Sequence, residues 1–419
     1  MKEVIIVGGG ASGLFASIII KEKVKDLANV TIVERLEKVG KKILATGNGR
    51  CNLTNAFVNE KKYNDPIFAK QILKRFNVND TLSYFDKIGL ITKQLDEGRI
   101  YPHSEIASSV LDVLRNEVKR LGVIEKCNFD VRRITKSKDL FIIENTRGVR
   151  LEADYVIIAT GGKATPVLGS NGSGYSLLKR FRLKITNTVP GLTGVKVDDS
   201  LIKGLTGIRL KAKVTLYNKK TKQQIWSENG EVQFKEDGLS GLVIMQMQSY
   251  ILRRIQAKEG NNYLFSLDLL PNMSHEEIVE LLERRIKRAG NFENDSLFIG
   301  IFHRMIGLQL LRRARIDLAG YTSDLNNRDI GRLATEIKEF SFEYKGHYDF
   351  SRAQVTIGGL ELDEVLPETL EARRILGLYV CGEALNIDGE CGGFNLQWAW
   401  SSGYLAGTSL AKRIIDTSE

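Results

Sequence analysis

The chain has 419 residues, 42% hydrophobic and 27% charged, the make-up of a globular protein too long for one compact core and fit for two or three domains. Its four cysteines share no C-x-x-C pair and its four histidines are scattered, which excludes a disulfide framework and leaves no zinc-like spacing, so no metal is expected. The net charge of +10 is uneven: Lys and Arg stand 32 against 20 Asp and Glu in residues 1–189, 24 against 20 in 190–345, and 5 against 11 in 346–419, so the N-terminal part is basic enough for either simple solubility or a polyanionic partner such as RNA.

Met1-Lys2-Glu3 leads straight into the apolar run Val4–Val7, with no segment resembling a signal peptide, and no apolar run approaches a membrane span; the expected location is the cytoplasm. That first run is short, β-branched and bounded by glycine, which predicts a buried strand. Gly8, Gly10 and Gly13, with Ala11 and Ser12 between them, follow at once. Gly8 suits a tight turn, Gly10 removes a Cβ that would block a pyrophosphate, and Gly13 lets the Leu14–Val24 helix pack close to the strand. A second strand, Val30–Val33, ends in Glu34 and Arg35, with the acid 21 residues after Gly13, where a carboxylate can accept the hydroxyls of an adenosine ribose. The strand, glycine turn, helix and acid together predict a dinucleotide site, with the helix N-terminus facing the phosphates.

The stretch from Lys41 to Asn55 is too rich in glycine and asparagine for a helix or strand interior, so it reads as a ligand-facing loop with special backbone angles. Its cofactor-binding candidates are Lys42, Thr46, Gly47, Asn48, Gly49, Arg50, Cys51 and Asn52. Cys51 is also the candidate catalytic acid, since a thiol is protonated at neutral pH, although Arg50 beside it favours the thiolate and a packing role is equally open. Residues 64–90 carry helical apolar spacing, and Ser104 is placed to cap a helix running to Leu121. Strands are predicted at Asn128–Ile134 and Leu140–Asn145, then at Ala153–Ala159, which ends in Thr160-Gly161-Gly162 and brings a second glycine turn towards a ligand.

From about Thr188 the pattern changes to period-two strands, including Leu210–Leu216 and Glu231–Phe234, followed by a helical stretch, 274–341, that opens on a Ser274/Glu277 capping box and contains a helix over Phe298–Arg315. The C-terminal segment returns to the opening style, with a strand running into Gly382-Glu383 and a helix introduced by Gly393, Phe394, Asn395 and Leu396. The fold class is therefore α/β, with boundaries at 1–189 and 346–419 for the two parts of a Rossmann-like domain, 190–272 for an inserted small β domain and 273–345 for an inserted helical segment.

These motifs resemble the bacterial flavoproteins known as the aminoacetone oxidase or BaiN-like family. The resemblance covers nearly the whole chain and rests on the Gly8 turn, Thr46–Asn55, Gly238-Leu-Ser-Gly241, Val355-Thr-Ile-Gly-Gly359 and Gly393-Phe-Asn-Leu-Gln-Trp-Ala-Trp-Ser-Ser-Gly403. It implies non-covalent FAD in a discontinuous Rossmann-like domain, with Gly8, Gly10, Ser12 and Gly13 at the pyrophosphate, Glu34 at the ribose and Val131 at the adenine through its backbone. Ala159, Thr160 and Gly161 would lie nearby, Glu383 would accept a ribityl hydroxyl, and Gly393, Asn395 and Leu396 would offer N–H groups to the isoalloxazine. The sequence departs from the pattern at Asn386, where an aspartate is expected, and at Cys391, a variable position given no catalytic role.

No second strand-borne G-x-G-x-x-G is seen, so NAD(P)H is expected only as a transient electron donor. Family members are described as oxidising aminoacetone, reducing C=C bonds of bile-acid intermediates and forming dihydrouridine in large-subunit ribosomal RNA. Three readings follow: an NAD(P)H-linked reductase of an activated C=C bond, with uridine of ribosomal RNA first among its substrates; an oxidase or reductase of a small metabolite; and a non-catalytic FAD-containing RNA-binding protein. For an RNA substrate, Arg284, Arg285, Lys287 and Arg288, with Arg312, Arg313 and Arg315, are the expected contacts beyond the basic N-terminal part.

Overall fold

A computed structural model describes residues 1–258, 260–289 and 291–418, the side chains of residues 199 and 289 excepted. The chain forms two compact units, one made of residues 1–191 and 350–419 and the other of residues 192–349.

The first unit is built on a five-stranded, wholly parallel sheet in the order Leu378–Val380, Tyr155–Ile158, Lys2–Val7, Ala28–Val33, Ile124–Lys126. The opening strand is central because both its faces are apolar: Val4 and Ile6 are wholly buried and Ile5 and Val7 nearly so. The last strand in the chain reaches this sheet only after the whole second unit has been traversed, so the domain is discontinuous in sequence. The helices Ala11–Val24 and Phe394–Asp416 pack directly on one another. A Cβ on Gly403 would stand 2.7 Å from the Ser12 carbonyl oxygen and one on Gly407 3.0 Å from that of Ala16, so glycine at those two turns sets how near the helices come.

The second unit holds a seven-stranded sheet around the hairpin Arg209–Asn218 and Gln224–Phe234. The helices Leu242–Gln256, His275–Ala289, Arg304–Arg313 and Asn327–Lys338 share one apolar core with that sheet, so the stretches read separately as β and helical bury the same surface.

Local chemistry explains several departures from the sequence reading. Lys41–Ala45 is a short helix rather than loop, and the irregular backbone begins only after it. Residues 64–90 divide into Pro66–Leu73 and Val78–Lys87, because Asn77 and Asp80 form a capping box that starts a new helix. Ser104 does not cap its helix: the first helical residue is Ala107, and the Ser104 hydroxyl accepts from Ile106 N–H and pairs with Ser109. The expected helix over Phe298–Arg315 is confined to Arg304–Arg313, where the His303 ring accepts from Met305 N–H. The Ser274/Glu277 capping box is present, each backbone N–H bonded to the other's side chain.

Candidate active site

The strands of the parallel sheet end together, and the segments that leave them line one cavity: Gly8 to Ser12 after the first strand, Glu34 to Leu36 after the second, Ala159 to Gly161 after Tyr155–Ile158, and Glu383 after Leu378–Val380. Ligand clefts of open α/β sheets form at this carboxyl edge. The glycines divide their work. A Cβ on Gly13 would stand 2.0 Å from the Gly8 carbonyl oxygen, so Gly13 is required by helix–strand packing, whereas a Cβ on Gly10 would meet nothing within 4 Å and would project into open space. Gly8 has φ +108 and a Cβ there would lie 2.4 Å from the Ala159 carbonyl oxygen, so that turn is available only to glycine.

Two helices begin at this cavity. Ala11–Val24 starts after Gly10 and Phe394–Asp416 after Gly393, and neither has a side-chain cap, so both present first-turn N–H groups and the positive end of a helix dipole. The second N-terminus is held rigidly. Asn395 Oδ1 accepts from Gly389 N–H at 2.8 Å, and its Nδ2 donates to the Gly389 and Glu390 carbonyls at 2.9 and 3.1 Å. Its side chain is thus spent on the preceding loop while residues 395 and 396 line the cavity.

The acids are fixed as well. Glu34, 9% exposed, accepts Gly9 N–H on Oε2 and Leu36 N–H on Oε1, each at 2.9 Å, which leaves lone pairs on a carboxylate that also lines the cavity. Glu383 accepts Thr356 N–H at 2.6 Å and the Lys42 ammonium at 2.9 Å.

Of the residues expected to hold a cofactor, Gly8, Gly10, Ala11, Ser12, Glu34, Arg35, Lys42, Thr46, Val131, Ala159, Thr160, Gly161, Glu383, Asn395 and Leu396 line this cavity. Gly13, Gly382, Gly393 and Phe394 do not line it, and neither do Gly47, Asn48, Gly49, Arg50, Cys51 and Asn52. That segment does adopt the expected special angles, with positive φ at Gly47, Asn48, Gly49 and Cys51. Its arginine, however, bonds within the protein: Arg50 pairs with Glu105 at 3.0 Å and lies 4.8 Å above the Tyr101 ring. Cys51 is wholly buried, and desolvation pushes its thiol up to about 12, with a weaker opposing effect from a hydrogen bond to Thr46. The thiolate favoured by an adjacent arginine in the sequence reading does not arise, and the geometry supports packing rather than proton donation. Asn52, 8% exposed, keeps an unpartnered Oδ1, and a Cβ on Gly393 would stand 3.1 Å from it.

Sequence reasoning missed Leu36, Lys38, Phe129, Asp130, Leu168 to Ser170, Gln354, Ile387 and Trp398 on the cavity wall. Most lie on connections whose path depends on tertiary packing; Trp398 lies within the recognised Gly393–Gly403 motif, and Gln354 immediately precedes the Val355–Gly359 motif. Among the described residues no group of three or more His, Cys, Asp or Glu is placed to hold a metal ion, and no helix is long and apolar enough to cross a membrane.

Residues 2–409 match the model of the HI0933-like protein Rossmann domain. The chain belongs to this family. It is 37% identical over 415 residues to a 3-dehydro-bile acid delta(4,6)-reductase of Clostridium scindens, covering 99% of this chain and all of that protein. It is 28% identical over 418 residues to a ribosomal RNA dihydrouridine synthase of Escherichia coli, covering 97% and 98%. Among solved structures, the open conformation of a flavocytochrome c3 fumarate reductase aligns with 99% of this chain and 79% of its own at 14% identity and a TM-score of 0.48. The HI0933-like assignment agrees with the resemblance read from the motifs and with the parallel Rossmann-like sheet.

Proposed function

We propose that this HI0933-like chain is an FAD-dependent oxidoreductase that reduces a C=C bond conjugated to a carbonyl, with NAD(P)H as a transient electron donor. The observation that carries the reading is the convergence of two uncapped helix N-termini, from opposite ends of the chain, on one cavity that also holds a ribose-suited acid. The residues fit the cofactor. Gly10 leaves open space where a phosphate would approach, residues 11–13 offer N–H groups to it, and Glu34 retains lone pairs for hydroxyls. The N-terminus at Phe394 suits an electron-rich carbonyl edge, and the buried Asn52 Oδ1 beside Gly393 is an acceptor in need of a donor. Bound FAD would supply two-electron transfer, and the chain's own part is to hold, orient and electrostatically favour the reduced ring.

The bond class follows from the chemistry that two relatives share. A bile-acid delta(4,6)-reductase and a dihydrouridine synthase both saturate a C=C bond next to a carbonyl, one in a steroid and the other in a uracil ring. A small enone is the substrate suggested by the greater identity, 37% over the full chain. Uridine in ribosomal RNA is the second reading, favoured by the 32 to 20 excess of basic residues in 1–189.

The test is anaerobic. Purified protein should be yellow and release FAD on denaturation, NADH or NADPH should bleach it, and its colour should return with a 3-oxo-4-ene steroid or with uridine in unstructured RNA. Recovery with oxygen alone, and with no C=C acceptor, would replace this reading with an oxidase of a small metabolite such as aminoacetone.

A further inference from the structure

The second unit contains its own concavity of about 580 Å³, formed by the helix His275–Ala289 and the segment that follows it. Three arginines face it. Arg285 is committed: its Nε donates to the Leu297 carbonyl at 2.9 Å and its Nη2 to the Ile299 carbonyl at 2.7 Å, which holds 297–299 as one wall. Arg284 and Arg288 are exposed, and among the described residues neither has a hydrogen bond or an ion pair, whereas Arg304, Arg313 and Arg332 of the same unit are paired with Asp295, Glu336 and Asp329. The same lining includes two exposed apolar side chains, Phe292 at 59% and Ile299 at 62%.

We infer that this cavity binds a nucleotide unit, its phosphate on Arg284 and Arg288 and its base against Phe292. Residues four apart on a helix are neighbours, so the two guanidiniums can share the oxygens of one phosphate, a spread of acceptors that a single carboxylate does not offer. An exposed aromatic face beside a cationic pair is the combination on which unpaired bases stack. Solvation explains isolated surface arginines, but not a concave wall built by a third arginine around two unmatched ones and two exposed apolar side chains. A free nucleotide and a single strand of RNA share this chemistry. The inference is independent of the reaction assigned to the other unit.

The experiment uses the full-length, flavin-loaded protein and a fluorescein-labelled oligouridylate twelve nucleotides long, followed by anisotropy as salt is raised. Replacing Arg284 and Arg288 by Ala should weaken binding about tenfold or more at low salt and flatten the log–log salt dependence by about 0.7, the share of the one phosphate that the two arginines hold. The pair Arg284→Lys and Arg288→Lys should keep most of that slope. Phe292→Ala should weaken binding about tenfold with the slope unchanged, the signature of lost stacking. Displacement of the probe by millimolar uridine monophosphate identifies a free nucleotide as a sufficient ligand, and failure of the monophosphate while the strand binds identifies RNA. The inference falls if the probe does not bind, if the double alanine variant keeps the parent slope, if Phe292→Ala binds as the parent does, or if inorganic phosphate competes as well as the monophosphate. Thermal melting of each variant, expected to match the parent because the replaced side chains are exposed, shows that a loss of binding is not a loss of fold.

Discussion

Lys42 Nζ lies 2.9 Å from Glu383 Oε2, an ion pair that joins the helix after the second strand to the turn after the last strand of the sheet. Both side chains remain partly open to the cavity, at 26% and 21% exposure. A carboxylate facing a site for phosphates is repulsive by itself, and Lys42 cancels its charge. Lys42→Ala should therefore weaken FAD retention about tenfold, and Glu383→Gln in the same chain should restore part of it, a coupling on the order of 1 kcal/mol. Dissociation constants from flavin fluorescence on dilution decide the matter; strictly additive losses would mean that the two residues act separately.

The two glycine environments separate fold from cofactor. Gly13→Ala drives a Cβ to 2.0 Å from the Gly8 carbonyl oxygen and should destabilise the protein by about 1–3 kcal/mol, visible as a melting point several degrees lower. Gly10→Ala meets no protein atom within 4 Å and should melt with the parent while losing FAD. Calorimetry and the flavin-to-protein absorbance ratio measure the two effects, and a Gly10→Ala variant with full flavin content would move the phosphate site elsewhere.

Glu34 supports both the glycine turn and the expected ribose contact. A ribose contact alone would make Glu34→Ala weaken cofactor retention more than the fold. Because Gly9 N–H and Leu36 N–H both donate to this carboxylate, the substitution also strands two backbone donors and should reduce stability by about 1–3 kcal/mol. Glu34→Gln retains a carbonyl acceptor and should lose less stability. Urea unfolding of the flavin-free forms isolates this effect, and equal midpoints for parent and Glu34→Ala would show that the turn does not depend on it.

Burial raises the Cys51 thiol from an ordinary value near 9 to about 12. The folded chain therefore holds this proton where the unfolded chain releases it. Its contribution to stability is complete below about pH 9 and falls as pH rises towards 12, by about 1.4 kcal/mol per unit. Cys381, also raised to about 12 by burial, adds to the same alkaline loss. Cys51→Ala should flatten the fall in urea midpoint above pH 9 and leave substrate-driven flavin reoxidation within about twofold of the parent. A drop of about a hundredfold in reoxidation, the scale of general acid catalysis, would restore the proton-donor role.

The sequence was most legible where one local pattern has one physical solution. The β-branched run Val4–Val7, the spacing of Gly8, Gly10 and Gly13 and the acid at Glu34 specify a strand, a tight turn, a helix and a strand end without reference to anything distant. The same holds for the Ser274/Glu277 capping box. Where two local rules competed, the reading slipped: Ser104 has the chemistry of a cap, but the helix begins at Ala107, and the Asn77 capping box divides a stretch whose apolar spacing alone reads as continuous.

Local pattern thus determined the parallel α/β core, the glycine turns and the two helix starts, because strand, turn and cap preferences act over a few residues. Only tertiary structure decided which side chains meet. The alternation of glycine and asparagine after Thr46 announced left-handed backbone, yet gave no sign that Arg50 would turn to Glu105 and Tyr101 or that Cys51 would be sealed from the cavity. Lys42 and Glu383 are 341 positions apart, and their pairing follows from the strand order that brings residues 28–33 and 378–380 into one sheet. Backbone conformation is a short-range property, whereas burial and ion pairing depend on how distant segments pack.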